Sequence, residues 1–442
     1  MKFNLNLPKF MYSFIKKTSQ LIFFLIIFSC LLPAQTRIMT YNIENYGASI
    51  NDDNTTQYKN EEKRNDDLRM VINSVAPDIL AVEEMFGAHS AGERLLNKVV
   101  NKNSDSYKMA FIDQKQDNNP EGDVWQDIAI YYKKDKFRLL REQEIDITPG
   151  ESYVRNALKV KLEKITHKDT LVIFAVHFKA GSGPYDKRKR EKEATKLRQY
   201  CNQLKEDLPF LICGDFNMYS SNEEAWKILT GQDSNNNGKV YDPINRIGKW
   251  TENKKFSDIH TQSTRESYGG LNDRFDFILI SEELKNKSGL SYFNNSYTAY
   301  GNDNLHFNKS INWKDNKAVP DSIADALYNA SDHIPVFADF KFDTSSYNFN
   351  DYRLFQNYPN PFNTQTKIKF YLRNKNHVTV SIYNLKGELI QTVTDTTFES
   401  GSSIVSWNGK NSSGEIVSSG VYLYRVLVGK NRAKSRKMIF LK

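Results

Sequence analysis

The stretch LICGDFNMYS, residues 211–220, decides how the rest of this chain is interpreted. Its apolar first residues predict a buried strand, and that strand ends abruptly at Gly214. Asp215 and Asn217 then follow, two residues apart. A carboxylate and a carboxamide at the mouth of a buried strand predict a polar site assembled on a rigid apolar base.

Eight short apolar runs between Gln35 and Asp343 predict strands, and four helical patterns lie among them. The strand runs are TRIMTYNIE, DILAVEE, DIAIYY, ALKVKLE, LVIFAVHF, LPFLICGDF, RFDFILIS and IPVFADF, and the helical patterns are RNDDLRMVINSVA, AGERLLNKVVNK, DKRKREKEATKLRQYCNQLK and NEEAWKILTG. This alternation predicts an α/β domain over residues 35–343. After a polar linker at residues 344–350, turn-separated alternating strands predict a small all-β sandwich domain over residues 351–442.

Polar residues fall at the ends of these strands. Asn42, Glu84 and His177, like Asp215, come at or near the carboxyl end of a strand run. Asp276 and the pair Asp332-His333 instead lie at the start of theirs. Groups at opposite strand ends share one edge only if the strands run in opposite directions, so we expect mixed sheets with one polar rim.

This set of residues favours metal-assisted chemistry on a phosphoester. Glu84 with a nearby amide oxygen suits a hard cation such as Mg²⁺ or Mn²⁺. A histidine with an aspartate partner is typical of a general base, and no serine-nucleophile motif accompanies it. Each residue also has a structural alternative: a turn or helix cap for Asp332, a buried hydrogen-bonded histidine for His177, and a turn for Asn42.

Six segments in order resemble the endonuclease/exonuclease/phosphatase superfamily. They are TYNIEN (40–45), PDILAVEE (77–84), AVHFKAG (175–181), GDFN (214–217), DRFDFILIS (273–281) and SDHIPV (331–336). The resemblance implies a four-layered α/β sandwich with two mixed sheets flanked by helices. It implies a divalent metal on Glu84, with Asn42 beside it and Asp332 in support. Glu83 departs from the family, which commonly has Gln there; we expect a solvated or salt-bridged side chain, with a second cation or a raised neighbouring pKa as alternatives.

The resemblance also implies catalytic roles. His333 would deprotonate the attacking water, oriented by Asp276, and Asp215 would position that water or share the base role. Asn217 would steady the pentavalent phosphorus. His177 would contact the phosphate and help the leaving oxygen.

The sequence leaves alternatives for the roles of two arginines and of one predicted turn. Arg265 and Arg274, just before the Asp276 strand, either clamp a substrate phosphate or form structural ion pairs. The segment DSNNNG (233–238) resembles the start of a calcium loop, but Ile244 stands where the bidentate acid belongs. We expect a turn there, with Ca²⁺ as an additional structural ion the alternative.

The two ends of the chain predict export. Four lysines, the apolar block LIFFLIIFSCLL and Pro33-Ala34 are typical of a secretory signal peptide over residues 1–34; a retained anchor helix is the alternative. No later run predicts a stable membrane span. In the tail, NYPNPFN, IYNLKGELI, WNGKNSSGEIVSSGVYLYR and KMIFLK resemble the type A C-terminal sorting domain of the type IX secretion system. That resemblance implies the type IX machinery as a partner, followed by release or attachment at the cell surface.

Charge separates the candidate functions only weakly. Of the formal net charge of +8, the first 34 residues carry +4 and residues 351–442 carry +9, which leaves −5 for residues 35–350. The basic run at 186–198 alternates in sign and predicts a solvated helix face. We expect an extracellular nuclease, with a phosphodiesterase or phosphatase on lipid or small-molecule phosphates as the alternative and an inactive surface or adhesion module as the second. Specificity is expected in loops 115–125 and 285–330.

Overall fold

A computed structural model describes residues 35–47, 61–86, 88–112, 126–148, 155–166, 169–205, 208–233, 235–285, 290–342, 352–372, 375–429 and 432–442. The predicted signal peptide (1–34), the predicted linker (344–350) and the predicted specificity loop 115–125 lie outside the described residues. The chain divides into two compact units, with the boundary between residues 343 and 344.

The first unit is a mixed α/β structure. Its strands are β1 (Gln35–Tyr46), β2 (Ile79–Met85), β3 (Tyr107–Ile112), β4 (Asp127–Lys133), β5 (Phe137–Ile145), β6 (Ala157–Lys164), β7 (Thr170–His177), β8 (Phe210–Asp215), β9 (Val240–Tyr241), β10 (Asp276–Ser281), β11 (Leu290–Tyr292), β12 (Thr298–Ala299) and β13 (Val336–Phe342). Its helices are α1 (Glu61–Val75), α2 (Ala88–Leu95), α3 (Pro184–Asn202), α4 (Glu224–Thr230), α5 (Glu282–Lys285) and α6 (Asp321–Ala330), with a π-helical turn at Leu96–Val100. All eight strand runs and all four helical patterns of the sequence therefore form elements of the predicted type.

Two sheets make up the centre of this unit. One has the order β11-β13-β1-β2-β4-β3, with β12 also paired to β13, and the other has the order β5-β6-β7-β8-β10-β9. In the first sheet β1 is parallel to β2 and antiparallel to β13. In the second, β8 is parallel to β7 and antiparallel to β10. Both sheets are mixed, which confirms the prediction from the strand ends.

Apolar side chains on alternate faces of the strands create three core layers. Ile38 of β1 lies between the two sheets with Ile173 of β7 and Ile278 of β10. Met39, its neighbour in β1, points the other way, into the core that α1, α2 and α6 cover. On the outer face of the second sheet, α3 and α4 pack over Phe174 and its neighbours. Helices, sheet, sheet and helices are the four layers that were predicted.

Strand register brings the polar ends together at one rim. His177, the last residue of β7, is paired with Asp215, the last residue of β8. On the other side of β8, Asp215 is paired with Asp276, the first residue of β10. The three side chains therefore meet at one point because two strands end where the third begins.

Gly214 makes this register sterically possible. Its φ of +136° lies in the region that side chains rarely adopt. A Cβ there would sit 1.9 Å from the carbonyl oxygen of Val176 in β7. The glycine of GDFN is thus required for the close approach of β7 and β8.

One expectation for this unit was confirmed only in part, and another was wrong. The basic run at 186–198 does form a solvated helix face, with Lys187, Arg188, Lys192 and Lys196 exposed, but Lys189, Arg190, Glu193 and Arg198 on its other side are buried. Long charged side chains can turn inward when buried carbonyls and carboxylates accept their hydrogen bonds, and the alternation of positive and negative residues in the sequence does not show which side chains do so. Helix α6 falls within residues 285–330, where the sequence predicts a loop; it covers the first sheet through Ile323 and Leu327.

The second unit is a small β sandwich. Its strands are β14 (Tyr352–Leu354), β15 (Thr366–Leu372), β16 (Asn376–Tyr383), β17 (Leu389–Phe398), β18 (Gly401–Trp407), β19 (Gly420–Val428) and β20 (Arg432–Phe440). They form a three-stranded sheet, β14-β15-β18, and a four-stranded sheet, β17-β16-β19-β20. One core joins the two sheets, with Trp407 in contact with Phe362 and Tyr422.

No helix within the described ranges is both long enough and apolar enough to cross a bilayer.

We predict that Arg190→Ala destabilises the first unit strongly. The Arg190 Nε donates to Glu223 Oε2 at 2.9 Å, and its Nη1 donates to the carbonyls of Lys179 and Gly181. Because Glu223 would remain buried without its partner, we expect a loss of about 3–5 kcal/mol in the free energy of unfolding. Urea unfolding followed by tryptophan fluorescence measures it.

The control for this prediction is Arg188→Ala, two residues earlier in the same helix. Its side chain is exposed, so the change should stay within about 0.5 kcal/mol. Equal stabilities of the two variants would contradict the structural role of Arg190.

Candidate active site

Three potential metal ligands lie together at the rim. Glu84, His177 and Asp215 each offer one atom, and these atoms all lie within 4.8 Å of one another. The His177 Nε2 is 3.6 Å from Glu84 Oε1 and 3.6 Å from Asp215 Oδ2. Burial lowers the pKa of His177 well below its ordinary value, and Arg155, His333 and Lys179 lower it further. The imidazole is therefore neutral and free to act as a ligand or an acceptor.

Asn42 holds the two acids of this cluster together. Its Nδ2 donates to Glu84 Oε1 at 2.9 Å and to Asp215 Oδ2 at 3.1 Å. Its Oδ1 accepts a hydrogen bond from the backbone N–H of Glu44. In this geometry the amide nitrogen faces the cluster, so Asn42 orients the carboxylates, and its role as a direct metal ligand stays a prediction.

The backbone at the end of β2 explains why two consecutive glutamates serve different purposes. Successive side chains of a strand point to opposite faces. At Glu84 the φ of +64° and a shift in register between Val82 and Met85 turn the chain, and the carboxylate swings to the rim. Such left-handed backbone is costly for a residue with a side chain and is typical of functional sites.

Glu83 instead points between the sheets, and the expectation of a solvated or salt-bridged side chain was wrong. It is fully buried, and its Oε1 accepts a hydrogen bond of 2.9 Å from Thr40 Oγ1. Burial raises the pKa of Glu83 well above its ordinary value, Asp276 and Asp215 raise it further, and the Thr40 hydrogen bond opposes them. Glu83 is therefore a protonated, neutral acid beneath the site.

His333 and Asp276 form a hydrogen-bonded pair. The His333 Nδ1 lies 2.8 Å from Asp276 Oδ2, and its Nε2 lies 2.9 Å from the amide nitrogen of Gln262. In the neutral imidazole, Nδ1 then carries the proton and Nε2 accepts. Burial lowers the pKa of His333, but Asp276, Asp332 and Asp215 outweigh burial and raise it well above its ordinary value. The imidazole thus holds a proton more tightly than an ordinary histidine does, and in its neutral form the tautomer is fixed, with Nε2 as the acceptor.

The segment around Asp332 is tied to the end of β1. Asp332 accepts a hydrogen bond from Gln262 Nε2 at 2.9 Å, and its backbone N–H donates to Glu44 Oε2. The Ser331 hydroxyl donates to the carbonyl of Asn42 and accepts from the backbone N–H of His333. Asp332 also raises the pKa of Glu84, after burial the largest cause of that shift. Asp332 therefore belongs to the same electrostatic cluster as the metal-ligand candidates.

Asn217 lies beside Asp215 at the mouth of β8. The backbone N–H of Asn217 donates to Asp215 Oδ1 at 2.9 Å, and its Nδ2 donates to the carbonyl of Phe178. A carboxamide nitrogen carries two hydrogens, so one remains for a ligand.

Neither predicted phosphate arginine has a free guanidinium. Arg274 is fully buried and donates to both carboxylate oxygens of Asp242, at 2.9 and 3.0 Å. Arg265 is also buried, and it donates to Glu44 Oε2 and to the carbonyl of Tyr328. These are the structural ion pairs that the sequence left as the alternative.

Arg155 is a cation of the site that the sequence analysis missed. Its Nη2 donates to Gln126 Oε1, while its Nη1 is buried and has no hydrogen-bond partner among the described residues. Burial lowers the pKa of Arg155, and Glu84, Glu193 and Asp215 oppose this, which places the guanidinium within their field. Arg155 comes just before β6, as Asp276 begins β10, so the strand-end rule applied to ALKVKLE would have found it.

The donor set at the rim fits a divalent metal ion. Burial, with Asp276 and Glu84, raises the pKa of Asp215, and burial raises that of Glu84. Acids held this close out of water are stabilised as anions by a cation among them. Carboxylate oxygens suit Mg²⁺ and Mn²⁺, and His177 suits Mn²⁺ better than Mg²⁺. Glu84 and Asp215 are the residues that would hold such an ion.

The segment at 233–238 folds as a turn. Asn236 accepts a hydrogen bond from the backbone N–H of Asp233 and donates to its carbonyl. Asn235, at the third position of such a loop, has its side chain in use as well: its Oδ1 accepts from the backbone N–H of Asn237, and its Nδ2 donates to the carbonyl of Asn202. A Ca²⁺ ion here stays a prediction.

Two mixed sheets with a carboxylate, histidine and amide cluster on one rim define a phosphoester hydrolase architecture. The profile of the endonuclease/exonuclease/phosphatase family matches residues 39–333, and the chain belongs to that family. Members of the superfamily hydrolyse phosphoric esters and generally use divalent metals. In the second unit, the profile of the FlgD Ig-like domain matches residues 359–431.

Solved structures with a similar chain trace include proteins of several activities. The catalytic domain of human Nocturnin is 18% identical, with a TM-score of 0.46, and the match covers 70% of this chain and 96% of that one. A mannosyl-6-phosphatase of Bacteroides thetaiotaomicron is 14% identical, with a TM-score of 0.47 and coverage of 70% and 100%. TDP2 of D. rerio, solved with a single-strand DNA product, is 15% identical, with a TM-score of 0.45 and coverage of 70% and 99%. A search of the curated proteins finds no match.

We predict that Glu83→Gln stabilises the protein increasingly as pH rises. The unfolded glutamate ionises above a pKa of about 4.5, whereas the folded one keeps its proton, so its contribution to stability is lost as pH rises toward the folded pKa. The amide has no proton to lose. The difference in unfolding free energy, measured by urea unfolding from pH 5 to 8, should grow by up to about 1.4 kcal/mol per pH unit.

Glu62→Gln is the matched control for Glu83, because Glu62 is exposed on α1. The free energy of unfolding of Glu62→Gln should differ from that of the unsubstituted protein by nearly the same amount at every pH. A Glu83→Gln difference that is equally flat would show that the buried acid is ionised in the folded protein.

Proposed function

We propose that this protein is a secreted, metal-dependent phosphodiester hydrolase that cleaves extracellular nucleic acid. The observation that carries the proposal is the convergence of two groups at one rim. The metal-ligand candidates Glu84, His177 and Asp215 lie next to the His333–Asp276 pair, with His333 Nε2 3.8 Å from Asp215 Oδ2. An acceptor for the proton of water and a place for a cation are thus adjacent, as hydrolysis of a P–O bond requires.

In this mechanism His333 is the general base. Its Nε2 accepts a proton from water, Asp276 stabilises the imidazolium through Nδ1, and the water oxygen attacks phosphorus. Asp215, 3.8 Å from that nitrogen, positions the water. When bound, a divalent cation on Glu84 and Asp215 supplies positive charge to the phosphoryl oxygens.

The remaining residues bind the phosphoryl group. The free N–H of Asn217 and the unpartnered Nη1 of Arg155 are hydrogen-bond donors at this rim for phosphoryl oxygens, on which charge develops as the P–O bond breaks. The neutral His177 contacts the phosphate near the leaving oxygen. Arg155 takes the role that was predicted for Arg265 or Arg274.

The alternative substrates are lipid or small-molecule phosphates, which need the same catalytic residues. The charge of −5 over residues 35–350 favours them over nucleic acid. The complete set of catalytic residues argues against an inactive surface or adhesion module.

We predict that hydrolysis requires Glu84 and a divalent metal. The full chain is incubated with single-stranded DNA, RNA, sphingomyelin and bis(4-nitrophenyl) phosphate, with Mg²⁺, with Mn²⁺ and with chelator. Cleavage of nucleic acid should fall about 10²–10³-fold in Glu84→Gln and on chelation, as expected when a charge-stabilising group is lost.

Two controls make this substrate panel decisive. Glu62→Gln should keep full activity because Glu62 is exposed on α1 and contributes no group to the candidate metal cluster. Turnover of sphingomyelin or of bis(4-nitrophenyl) phosphate without cleavage of nucleic acid would contradict a nucleic-acid substrate and support lipid or small-molecule phosphates instead. No turnover with any metal would refute the hydrolase.

The tail supports export. The resemblance to a type A sorting domain spans nearly all of 353–442, and those residues form a β sandwich. We predict that a fluorescent protein carrying residues 1–34 and 351–442 reaches the medium or the cell surface of a bacterium with type IX secretion. The same fusion without residues 351–442 should stay in the periplasm; equal distribution of the two fusions would contradict a sorting role.

A further inference from the structure

An open cavity of about 460 Å³ lies beside the candidate active site. Its walls come from the start of α3, from the segment between β8 and α4, and from the loop at Lys249. The segment after β8 enters the wall at Tyr219, four residues past Asp215, and α3 follows β7, which supplies His177, after residues 178–183. The cavity therefore opens next to the place where the scissile phosphate is proposed to bind.

The cavity is lined by unpaired positive charge. Lys187, Arg188 and Lys249 are exposed, and none of them forms an ion pair with a described residue. By contrast, two of the lining acids are paired: Glu223 with the buried Arg190, and Glu224 with Lys227 at 2.6 Å.

Glu191 is the remaining acid of the wall, and no ion pair of its side chain exists among the described residues. Three unpaired cations against one unpaired carboxylate leave the cavity with a formal surplus of two positive charges. A surplus of this kind in a concave surface attracts an anion.

Tyr219 connects the cavity to the catalytic rim. It lies two residues after Asn217, so the two Cα atoms are at most about 7.6 Å apart. Its ring packs edge-on against Phe275, the residue before Asp276, with 5.0 Å between the ring centroids. The ring is only half-buried, with the Arg190 Cζ 5.5 Å from its centroid, and its hydroxyl bonds to no described residue, so the exposed part of the ring is an aromatic surface in the wall of the cavity.

We propose that this cavity binds the neighbouring phosphate of a nucleic-acid strand, through Lys187, Arg188 and Lys249, with the adjoining base against Tyr219. The inference rests on the proposed function and narrows its substrate class. Lysine and arginine in a groove that also offers an aromatic ring are the usual means of holding a single strand. Substrates with one phosphate, such as sphingomyelin, leave the cavity unused.

The test compares substrates with one phosphate and with many. The KM of Lys187→Ala/Arg188→Ala for a labelled single-stranded oligonucleotide should rise about tenfold, and the slope of log KM against log salt should fall by about 1.4, the value for two lost contacts. The kcat/KM for bis(4-nitrophenyl) phosphate should change less than about twofold. Lys249→Ala should show a smaller effect of the same kind.

Lys196→Ala is the control, since Lys196 is exposed on the same helix but does not line the cavity. An equal loss of kcat/KM for the oligonucleotide and for bis(4-nitrophenyl) phosphate would show that the two cations have a structural role. A KM of Lys187→Ala/Arg188→Ala equal to that of Lys196→Ala would show that they do not bind the strand. Either result overturns the proposal.

A binding measurement separates failure of this inference from failure of the proposed function. If the protein cleaves no nucleic acid, its affinity for the labelled oligonucleotide is measured by fluorescence anisotropy, with the Glu84→Gln variant in the presence of chelator. Binding that is lost on adding Lys187→Ala/Arg188→Ala supports the cavity even without turnover. Absence of binding, or binding that the added changes leave intact, refutes it.

Discussion

The register of β8 with its two neighbours is the constraint on which the site depends. Asp215 is paired with His177 on one side and with Asp276 on the other, because β7 runs parallel and β10 antiparallel to β8. Gly214 allows the close approach of β8 to the carbonyl of Val176. A slip of one residue would turn Asp215 to the opposite face of the sheet, and no loop adjustment could restore the cluster.

Several acids held at one rim, out of water, repel one another, and burial disfavours their charged forms. The surrounding groups each reduce part of this unfavourable electrostatic energy. Glu83 avoids it by staying neutral, and Asn42 offsets part of it by donating to Glu84 and Asp215. Arg155 contributes a guanidinium that lies in the field of Glu84 and Asp215 and is partly unpartnered among the described residues. The repulsion that remains between these acids would be relieved by a cation, so the same crowding that destabilises the cluster favours a metal ion among its members.

Much of this could be predicted from the sequence, for a physical reason. Where an apolar run ends on a polar residue, the sequence shows both the strand and its end. The end that carries the polar group then indicates the direction of the strand relative to its neighbours. These two signals predicted the positions of Glu84, His177, Asp215, Asp276 and His333. Side chains that approach the site from elsewhere leave no such signal. Gln262 lies in an irregular segment, and only the folded chain shows that it reaches His333. The choice left open for Arg274 and the buried cations of α3 could not be settled for a related reason, since composition does not show which long side chains turn inward.

The charge of the first unit argues less against a nucleic-acid substrate than its sign suggests. Residues 35–350 carry a formal −5, and five of their acids, Glu83, Glu84, Asp215, Asp276 and Asp332, belong to the rim cluster and the layer beneath it. Without those five the formal charge of the remaining residues is zero. The acids that make the unit negative are the ones proposed to bind a metal ion or to orient the base, together with the buried Glu83, so this negative charge is gathered at one place and is not spread along the surface that a polyanion would meet. Recognition then depends on where unpaired cations stand, and among the described residues of the cavity beside Asn217 they stand in surplus.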